Sequence, residues 1–137
     1  MTPRRQAATR AANRGDAVAF LAKSREFLRA AQYSLSLEHR VAATGNAVHA
    51  GIAAADAIAA TRLGSVWVGE HTQAAGHVEG AGTDGRKAAA QLRRLMPLKN
   101  RAEYDPVPVP VSEAKSAVKA AERLLAIADR VVHGSGS

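Results

Sequence analysis

Hydrophobic residues recur along most of this chain at the three- and four-residue spacing of helices that bury one face. Two long stripes extend from about Asp16 to about Leu37 and from Val41 to about Arg62, and each predicts a helix. Shorter helices are predicted for Glu70–Glu79 and Gly85–Met96, and a long one for Ser112–His133. The pattern predicts an all-α fold, an up-and-down bundle of four to five helices.

Capping and helix-breaking residues set the predicted boundaries of these helices. Asp16 is a good N-cap for the first helix and Ser112 for the last, because their side-chain oxygens can accept hydrogen bonds from free backbone N–H groups. Pro97 lies inside a helical pattern and is expected to kink the helix or restart it. The proline-rich run 105–110 excludes helix and predicts an extended connector. The glycine-rich run 80–85 predicts a flexible break.

The two ends of the chain lack this apolar periodicity. Residues 1–14 are predicted to form a flexible basic arm, and residues 134–137 a flexible Gly-Ser tail. The bundle is predicted to occupy residues 15–133. At this length, folding buries about two-thirds of the surface of the unfolded chain, which is enough for one core.

Composition narrows both the kind of core and the expected location. Apolar residues make up 47% of the chain but aromatic residues only 4%, so the core must be built from Ala, Leu, Val and Ile. The absence of cysteine excludes disulfides, zinc–thiolate sites and iron–sulfur clusters. No apolar run approaches the roughly 20 residues of a membrane span, and the start of the chain lacks the apolar stretch of a secretory signal. We therefore predict a cytoplasmic protein without a membrane partner.

Familiar catalytic and ligand-binding motifs give little support to conventional enzyme chemistry. The sequence lacks the G-x-S-x-G, H-E-x-x-H and Walker A motifs, and no two histidines are four residues apart, as a metal site on one helical face requires. Gly80–Gly85 matches G-x-G-x-x-G, but no predicted strand precedes it, so an inter-helix turn is the better interpretation. No metal and no cofactor is predicted.

The charge distribution favours anionic partners. The net charge is +7 and the pI about 10.6, which is typical of proteins that bind nucleic acid, nucleotides or acidic proteins. A stretch that begins in the fourth predicted helix and continues past Pro97 holds six cations and no acid: Arg86, Lys87, Arg93, Arg94, Lys99 and Arg101. On a helix most of them fall opposite Leu92 and Leu95. This stripe is either an anion-binding surface or a solvated face.

Two smaller groups of polar residues are candidates for a site. His49 and Asp56 are seven positions apart and share a helical face, where they could form a polar site or a satisfied buried contact. Arg101 and Tyr104 are three positions apart and neighbours on a helix surface, with Asp105 next to them. Arg can bind phosphate while Tyr stacks or donates its hydroxyl. Alternatively, Arg101 pairs with the carboxylate of Glu103 or Asp105, and Tyr104 packs at the helix end.

The segment Arg101-Ala-Glu-Tyr104-Asp105, followed by an extended linker and a last helix, resembles the end of HEPN-domain proteins. It is most similar to a subgroup that carries an Arg-x-x-Tyr-Asp segment. Residues 46–58 resemble the second helix of that subgroup, and His71 lies where the subgroup often has a histidine at the start of the next helix. The resemblance covers about residues 16–132.

This resemblance implies a bundle, often dimeric, that works with RNA or nucleotides. Many members are toxins paired with a nucleotidyltransferase antitoxin, or parts of defence systems. By the same resemblance Arg101 binds phosphate, and Tyr104 is a modified or substrate-facing residue. Active members are metal-independent ribonucleases whose Arg is followed by a His after four to six residues. Here the next histidine after Arg101 is His133.

Three functions follow as expectations. The leading one is a nucleic-acid- or nucleotide-associated component of a toxin–antitoxin or defence module that works with a protein partner and forms a homodimer. The second is a non-catalytic helical dimerisation or interaction protein. The third is an atypical ribonuclease in which Arg101 acts with a distant histidine such as His49 or His71, because proton transfer near neutral pH needs such a group.

Overall fold

Residues 8–134 are described by the computed structural model, and they form five α-helices and two short strands. The helices are α1 (Arg14–Ser36), α2 (Arg40–Leu63), α3 (Ala74–Glu79), α4 (Gly82–Tyr104) and α5 (Val111–His133). The strands are β1 (Thr9–Ala11) and β2 (Ser65–Trp67), and a short 3-10 helix spans His71–Gln73. The prediction of an all-α bundle is confirmed.

Helix α2 lies at the centre of the bundle. It contacts α1, α4 and α5, while α5 also contacts α1 and α4. Most residues of α2 are buried, and most of those are alanine. Small side chains let neighbouring helices approach closely. Gly51 is the extreme case, because a Cβ there would collide with the Cδ1 atom of Leu95 on α4 and lie 3.2 Å from that of Leu124 on α5.

The core is aliphatic, as the composition predicts. Its largest fully buried side chains are leucine, isoleucine and valine: Leu21, Val48, Ile58, Val66, Val78, Leu92, Leu95, Leu124 and Val132. No helix between residues 8 and 134 combines the length and the apolar character that crossing a membrane requires.

Helix α1 begins earlier than predicted, with Asn13 rather than Asp16 as its N-cap. The Asn13 side chain accepts a hydrogen bond from the Asp16 backbone N–H, and the Asp16 carboxylate accepts one from the Asn13 backbone N–H, both at 2.9 Å. In this capping box Asp16 occupies the third helical position. Its carboxylate therefore accepts a hydrogen bond from the backbone N–H of the N-cap residue, and Asp16 is not itself the N-cap.

Replacing Asn13 by alanine should lower the free energy of unfolding by about 1 kcal/mol, because the Asp16 backbone N–H loses the side-chain oxygen that caps the start of α1. Urea denaturation followed by circular dichroism measures the change. Asn100→Ala, on the exposed side of α4, is the matched control and should stay within about 0.5 kcal/mol of the wild type. An Asn13 variant as stable as this control would contradict the capping role.

Other predicted boundaries differ from the structure around the prolines and glycines. Helix α4 continues through Pro97 to Tyr104, because a proline removes one helical hydrogen bond while Leu92, Leu95 and Ala102 keep both halves of the helix in the core. The break at 80–85 shrinks to two residues, since α4 begins at Gly82.

Helix α5 begins at Val111, with Pro110 rather than Ser112 as its N-cap. The Pro110 carbonyl accepts hydrogen bonds from the backbone N–H groups of Glu113 and Ala114, each at 3.1 Å. The φ of Pro110, −64°, is the angle that the proline ring fixes, and it is compatible with the extended backbone of an N-cap. The extended connector before it agrees with the prediction for 105–110, and Val109 buries its side chain there.

The prediction of a flexible arm over residues 1–14 is wrong for residues 9–14. Thr9–Ala11 pair antiparallel with Ser65–Trp67, with Arg10 opposite Val66, and Arg14 already belongs to α1. The pairing is between backbone groups far apart in sequence, so periodicity within residues 1–14 does not reveal it. The rest of the arm, residues 1–7, lies outside the described residues, as do residues 135–137 of the predicted tail.

Candidate anion-binding trough

A cationic trough runs between α4 and α5, and we call it the α4–α5 trough. It consists of two adjoining cavities of about 610 and 430 Å³ that share Arg123. The larger, the serine-side cavity, is lined by Arg94, Leu98, Ser112, Glu113, Ser116, Lys119 and Arg123. The smaller, the alanine-side cavity, is lined by Lys87, Ala90, Gln91, Arg123, Ala126, Ile127 and Arg130. Both helices thus contribute cations to its walls.

Helical spacing places these cations in rows. Lys87 and Arg94 are seven positions apart on α4, which is about two helical turns. On α5, Arg123 follows Lys119 by four positions and precedes Arg130 by seven. Residues at these spacings share one face of a helix. The two rows face each other across the trough because α4 and α5 pack side by side.

Ion pairs between the two helices close the trough at both ends. At the serine side, the Arg101 guanidinium on α4 lies 3.2 Å from the Glu113 carboxylate on α5. At the alanine side, the Asp84 carboxylate on α4 lies 2.5 Å from Arg130 on α5 and 3.3 Å from Arg62 on α2. The hydrogen bond from Arg130 is the main reason that the pKa of Asp84 is lowered. These pairs also show that α4 and α5 are antiparallel.

The middle of the trough is uncompensated positive charge. Lys87, Arg94, Lys119 and Arg123 have no ion-pair partner within residues 8–134. Among the described residues that line the two cavities, only Glu113 is acidic, and it already binds Arg101. Cations gathered in a concave surface raise the local concentration of anions. The trough can therefore bind a ligand with several negative charges.

The six cations predicted on α4 do not form a single stripe. Lys87 and Arg94 lie in the trough, and Arg101 closes its end. The other three are engaged elsewhere. Arg86 donates to the Thr83 hydroxyl at 3.1 Å, Arg93 binds Glu79 at 3.0 and 3.2 Å, and Lys99 binds Glu103 at 3.4 Å.

The separation of Arg93 from Arg94 has a simple cause. Consecutive helical residues point about 100° apart, and α3 packs on one side of α4 while α5 packs on another. Arg93 therefore meets Glu79 at the end of α3, and these hydrogen bonds lower the pKa of Glu79 and raise that of Arg93. Arg94 instead faces the trough.

The predicted group of Arg101, Tyr104 and Asp105 does not converge on one point. Arg101 pairs with Glu113 rather than with Glu103 or Asp105, the partners expected from sequence. Tyr104 is 74% exposed at the end of α4. The Asp105 carboxylate accepts a hydrogen bond from the Val107 backbone N–H at 2.9 Å, which shapes the connector.

No histidine lines the trough, although all five lie within the described residues. His49 stacks near Phe27, with ring centroids 5.2 Å apart, and His71 is exposed at the start of the 3-10 helix. His77 lies 3.3 Å from the Ser65 hydroxyl and His133 lies 3.2 Å from Asp129. Across residues 8–134, His, Asp and Glu nowhere form a group of three suited to a metal.

Asp56 is the most perturbed carboxyl group of the described chain. Burial raises its pKa from 3.8 to about 7, although Lys23 on α1 and Arg10 on β1 oppose the shift. Lys23 and Phe27 both belong to α1, so Asp56 and His49 lie on the α1 side of α2. This polar face is separate from the trough, and in the part of the chain described no hydrogen bond joins the two residues.

The cations of α5 are the candidate-site residues that sequence reasoning missed. Lys119, Arg123 and Arg130 contribute more cations to the trough than α4 does. A signal was available, because Lys115, Lys119 and Arg123 recur every four residues opposite the apolar stripe of this helix. The spacing does not show which face of α5 packs beside the cationic face of α4.

Comparison with protein-family models, with curated proteins and with solved structures found no match. The chain's own charges and cavities are therefore the basis on which a function can be assigned.

Proposed function

We propose that this chain binds a single strand of RNA along the α4–α5 trough, as the RNA-associated component of a HEPN-like toxin–antitoxin or defence module. Its main support is the set of four cations without ion-pair partners among the described residues: Lys87, Arg94, Lys119 and Arg123. A protein partner such as a nucleotidyltransferase, and a homodimeric state, remain expectations of the resemblance.

The shape of the trough favours a single strand over a duplex. Neighbouring helices pack about 8–10 Å apart, which leaves a narrow space between their outward side chains. From Lys87 to Arg101 the trough follows 14 residues of α4, or about 21 Å. A single strand can lie along this length with its phosphates between the two rows of cations. A duplex would touch only the rim.

Binding should depend mainly on the phosphates. Neither cavity is lined by an aromatic residue, so the base stacking that many single-strand binding proteins use has no platform there. Four phosphate contacts would release condensed counterions and give a slope of about −3 in a plot of log affinity against log salt concentration. Recognition would then be tolerant of base sequence.

Arg94→Gln and Arg123→Gln should each weaken RNA binding about five- to tenfold at low salt and reduce the salt slope by about 0.7, because each removes one phosphate contact. Fluorescence polarisation with a labelled RNA of about ten nucleotides, titrated between about 50 and 300 mM salt, measures both quantities. Arg29→Gln, an exposed arginine on α1, is the matched control. Binding that is equally sensitive to the Arg29 and the trough substitutions would contradict this site.

Binding without cleavage is the activity that the trough supports. General acid–base catalysis of RNA cleavage requires a group that transfers protons near neutral pH, usually histidine, within hydrogen-bond reach of the substrate. None of the five histidines lines the trough. The ribonuclease alternative would need a histidine from a second copy or from a partner.

A specific observation also favours the interaction-protein alternative. Tyr33, Leu37 and Val41 are 67%, 46% and 54% exposed around the turn between α1 and α2. Apolar side chains exposed together are typical of surfaces that another protein covers. None of these three residues lines either cavity of the trough, so this surface and the trough share no side chain. A monomeric mass over a wide range of protein concentration would exclude the hypothesis that the chain self-associates through this surface.

A further inference from the structure

The two cavities of the trough differ in their chemistry. The alanine-side cavity combines cations with an apolar floor of Ala90, Ala126 and Ile127. The serine-side cavity adds two hydroxyl donors, Ser112 and Ser116, to Arg94, Lys119 and Arg123. Arginine forms paired hydrogen bonds with phosphate oxygens, and hydroxyl groups can donate to those that remain. The serine-side cavity is thus better equipped to surround one phosphate on several sides.

The serine-side cavity is also where the trough stops. The Arg101–Glu113 ion pair joins α4 to α5 there, at 3.2 Å. The Glu113 side chain is only 17% exposed and lines the cavity. A strand that continued beyond this point would have to break the ion pair or bring its phosphates against a carboxylate. A strand lying in the trough should therefore have its end in this cavity.

We propose that the serine-side cavity binds the terminal phosphate of the RNA strand, an inference that rests on the function proposed above. A terminal phosphate monoester carries a charge of about −1.5 to −2 at neutral pH and has three free oxygens, whereas a phosphodiester inside the strand carries a single charge. Three cations and two hydroxyl groups suit the more highly charged group, and the one carboxylate that also lines the cavity, Glu113, is paired with Arg101. The volume of about 610 Å³ is sufficient for a terminal nucleotide.

The test compares three RNAs of one sequence, which carry a 5′ phosphate, a 3′ phosphate, or hydroxyl groups at both ends. One of the two phosphorylated RNAs should bind about tenfold more tightly than the hydroxyl form, since charge-assisted hydrogen bonds of about 1.4 kcal/mol change affinity by that factor. The phosphorylated RNA that gains affinity identifies the end that the cavity accepts.

Lys119→Gln and Ser116→Ala should remove most of this preference while the protein still binds RNA. Lys115→Gln is the matched control, because Lys115 is exposed one turn before Lys119 on α5 and lines neither cavity. Circular dichroism verifies that each variant is folded. A preference lost in the first two variants and kept in the control supports the terminal-phosphate site.

Two results would overturn the inference and leave the proposed function intact. Equal affinity for all three RNAs, with binding still dependent on Arg94 and Arg123, would show that the trough binds strands without recognising their ends. A preference that survives Lys119→Gln and Ser116→Ala would place the terminal phosphate elsewhere. If the folded wild type binds none of the three RNAs, both proposals fail.

Discussion

Truncation of Leu95 to alanine is expected to lower the free energy of unfolding by about 2–5 kcal/mol. Leu95 is fully buried where α4 meets α2 and α5. The change removes apolar contacts and leaves a cavity that packed helices fill only in part. Urea denaturation measures the loss directly. A smaller loss, below about 1 kcal/mol, would contradict the packing described for this junction.

The close contact of Gly51 with Leu95 predicts that the effects of substituting these two residues on stability are not additive. In the wild type, a methyl group at Gly51 would collide with the Cδ1 atom of Leu95, and crowding of this kind costs about 1–3 kcal/mol. In the Leu95→Ala background that atom is gone. Gly51→Ala should then occupy part of the cavity and gain the higher helix propensity of alanine, about 1 kcal/mol. The double variant should therefore be more stable than the sum of the two single changes predicts, by about 1–3 kcal/mol.

Gly45→Ala provides the matched control for this cycle. Gly45 lies on α2 as well, but a Cβ there would have no neighbour within 4 Å. Its effect should be the same in the wild type and in the Leu95→Ala background. If Gly51→Ala also had the same effect in both backgrounds, close contact between α2 and α4 would not be what makes glycine necessary at this position.

Periodicity predicted the long helices because their apolar residues face a shared core. The stripe assigned to α5 shows this well, since Ala114, Val118 and Leu124 are all buried. The same reasoning was less accurate for α2. Val41, predicted on its apolar stripe, is 54% exposed, while nine alanines distributed around the rest of the helix are buried. Three other helices pack on α2, so most of its circumference is buried, and a single apolar stripe underestimates that burial.

Features that depend on partners distant in sequence were the ones that sequence reasoning missed. The pairing of Thr9–Ala11 with Ser65–Trp67 joins segments more than 50 residues apart. Continuation of α4 through Pro97 depends on packing that outweighs one lost hydrogen bond. In both cases the deciding contacts are tertiary, and local propensity does not include them.

Sequence reasoning identified only the α4 wall of the trough, again because the other wall depends on a tertiary contact. Cationic spacing on α4 correctly singled out Lys87 and Arg94 as neighbours on one face, but it grouped them with Arg93, which turns toward α3. The opposite wall, formed by Lys119 and Arg123, becomes visible only when α4 and α5 lie side by side. A binding surface built from two helices cannot be read from one helix alone.

Asp56 should make the protein less stable as the pH rises from about 4 toward 7. The pKa of this carboxyl is raised from 3.8 to about 7 by burial between α1 and α2, against the attraction of Lys23 and Arg10. Below the unfolded pKa of 3.8, Asp56 is protonated in both states and burial of its charge costs nothing. Between the two pKa values the native state keeps the proton that the unfolded chain releases. The unfolded state therefore becomes more favourable as the pH rises through this range.

The loss of stability should reach roughly 2–4 kcal/mol once the pH exceeds the folded pKa, where the native state must hold a poorly solvated carboxylate. Asp56→Asn keeps the size of the side chain and cannot ionise. It should therefore abolish this component of the pH dependence and leave the variant more stable than the wild type at pH 8. Urea denaturation at pH 5 and pH 8 for both proteins measures the difference.

Glu26→Gln is the matched control, because it removes an exposed carboxylate on α1. A surface change of this kind alters stability by no more than about 0.5 kcal/mol. If Asp56→Asn retained the wild-type loss of stability between pH 5 and pH 8, another group would be responsible. A loss abolished only in the Asp56 variant would mean that the buried carboxyl on the α1 side of α2 controls the pH response. The trough is lined by residues of α4 and α5 and does not include Asp56, so RNA binding can be tested independently.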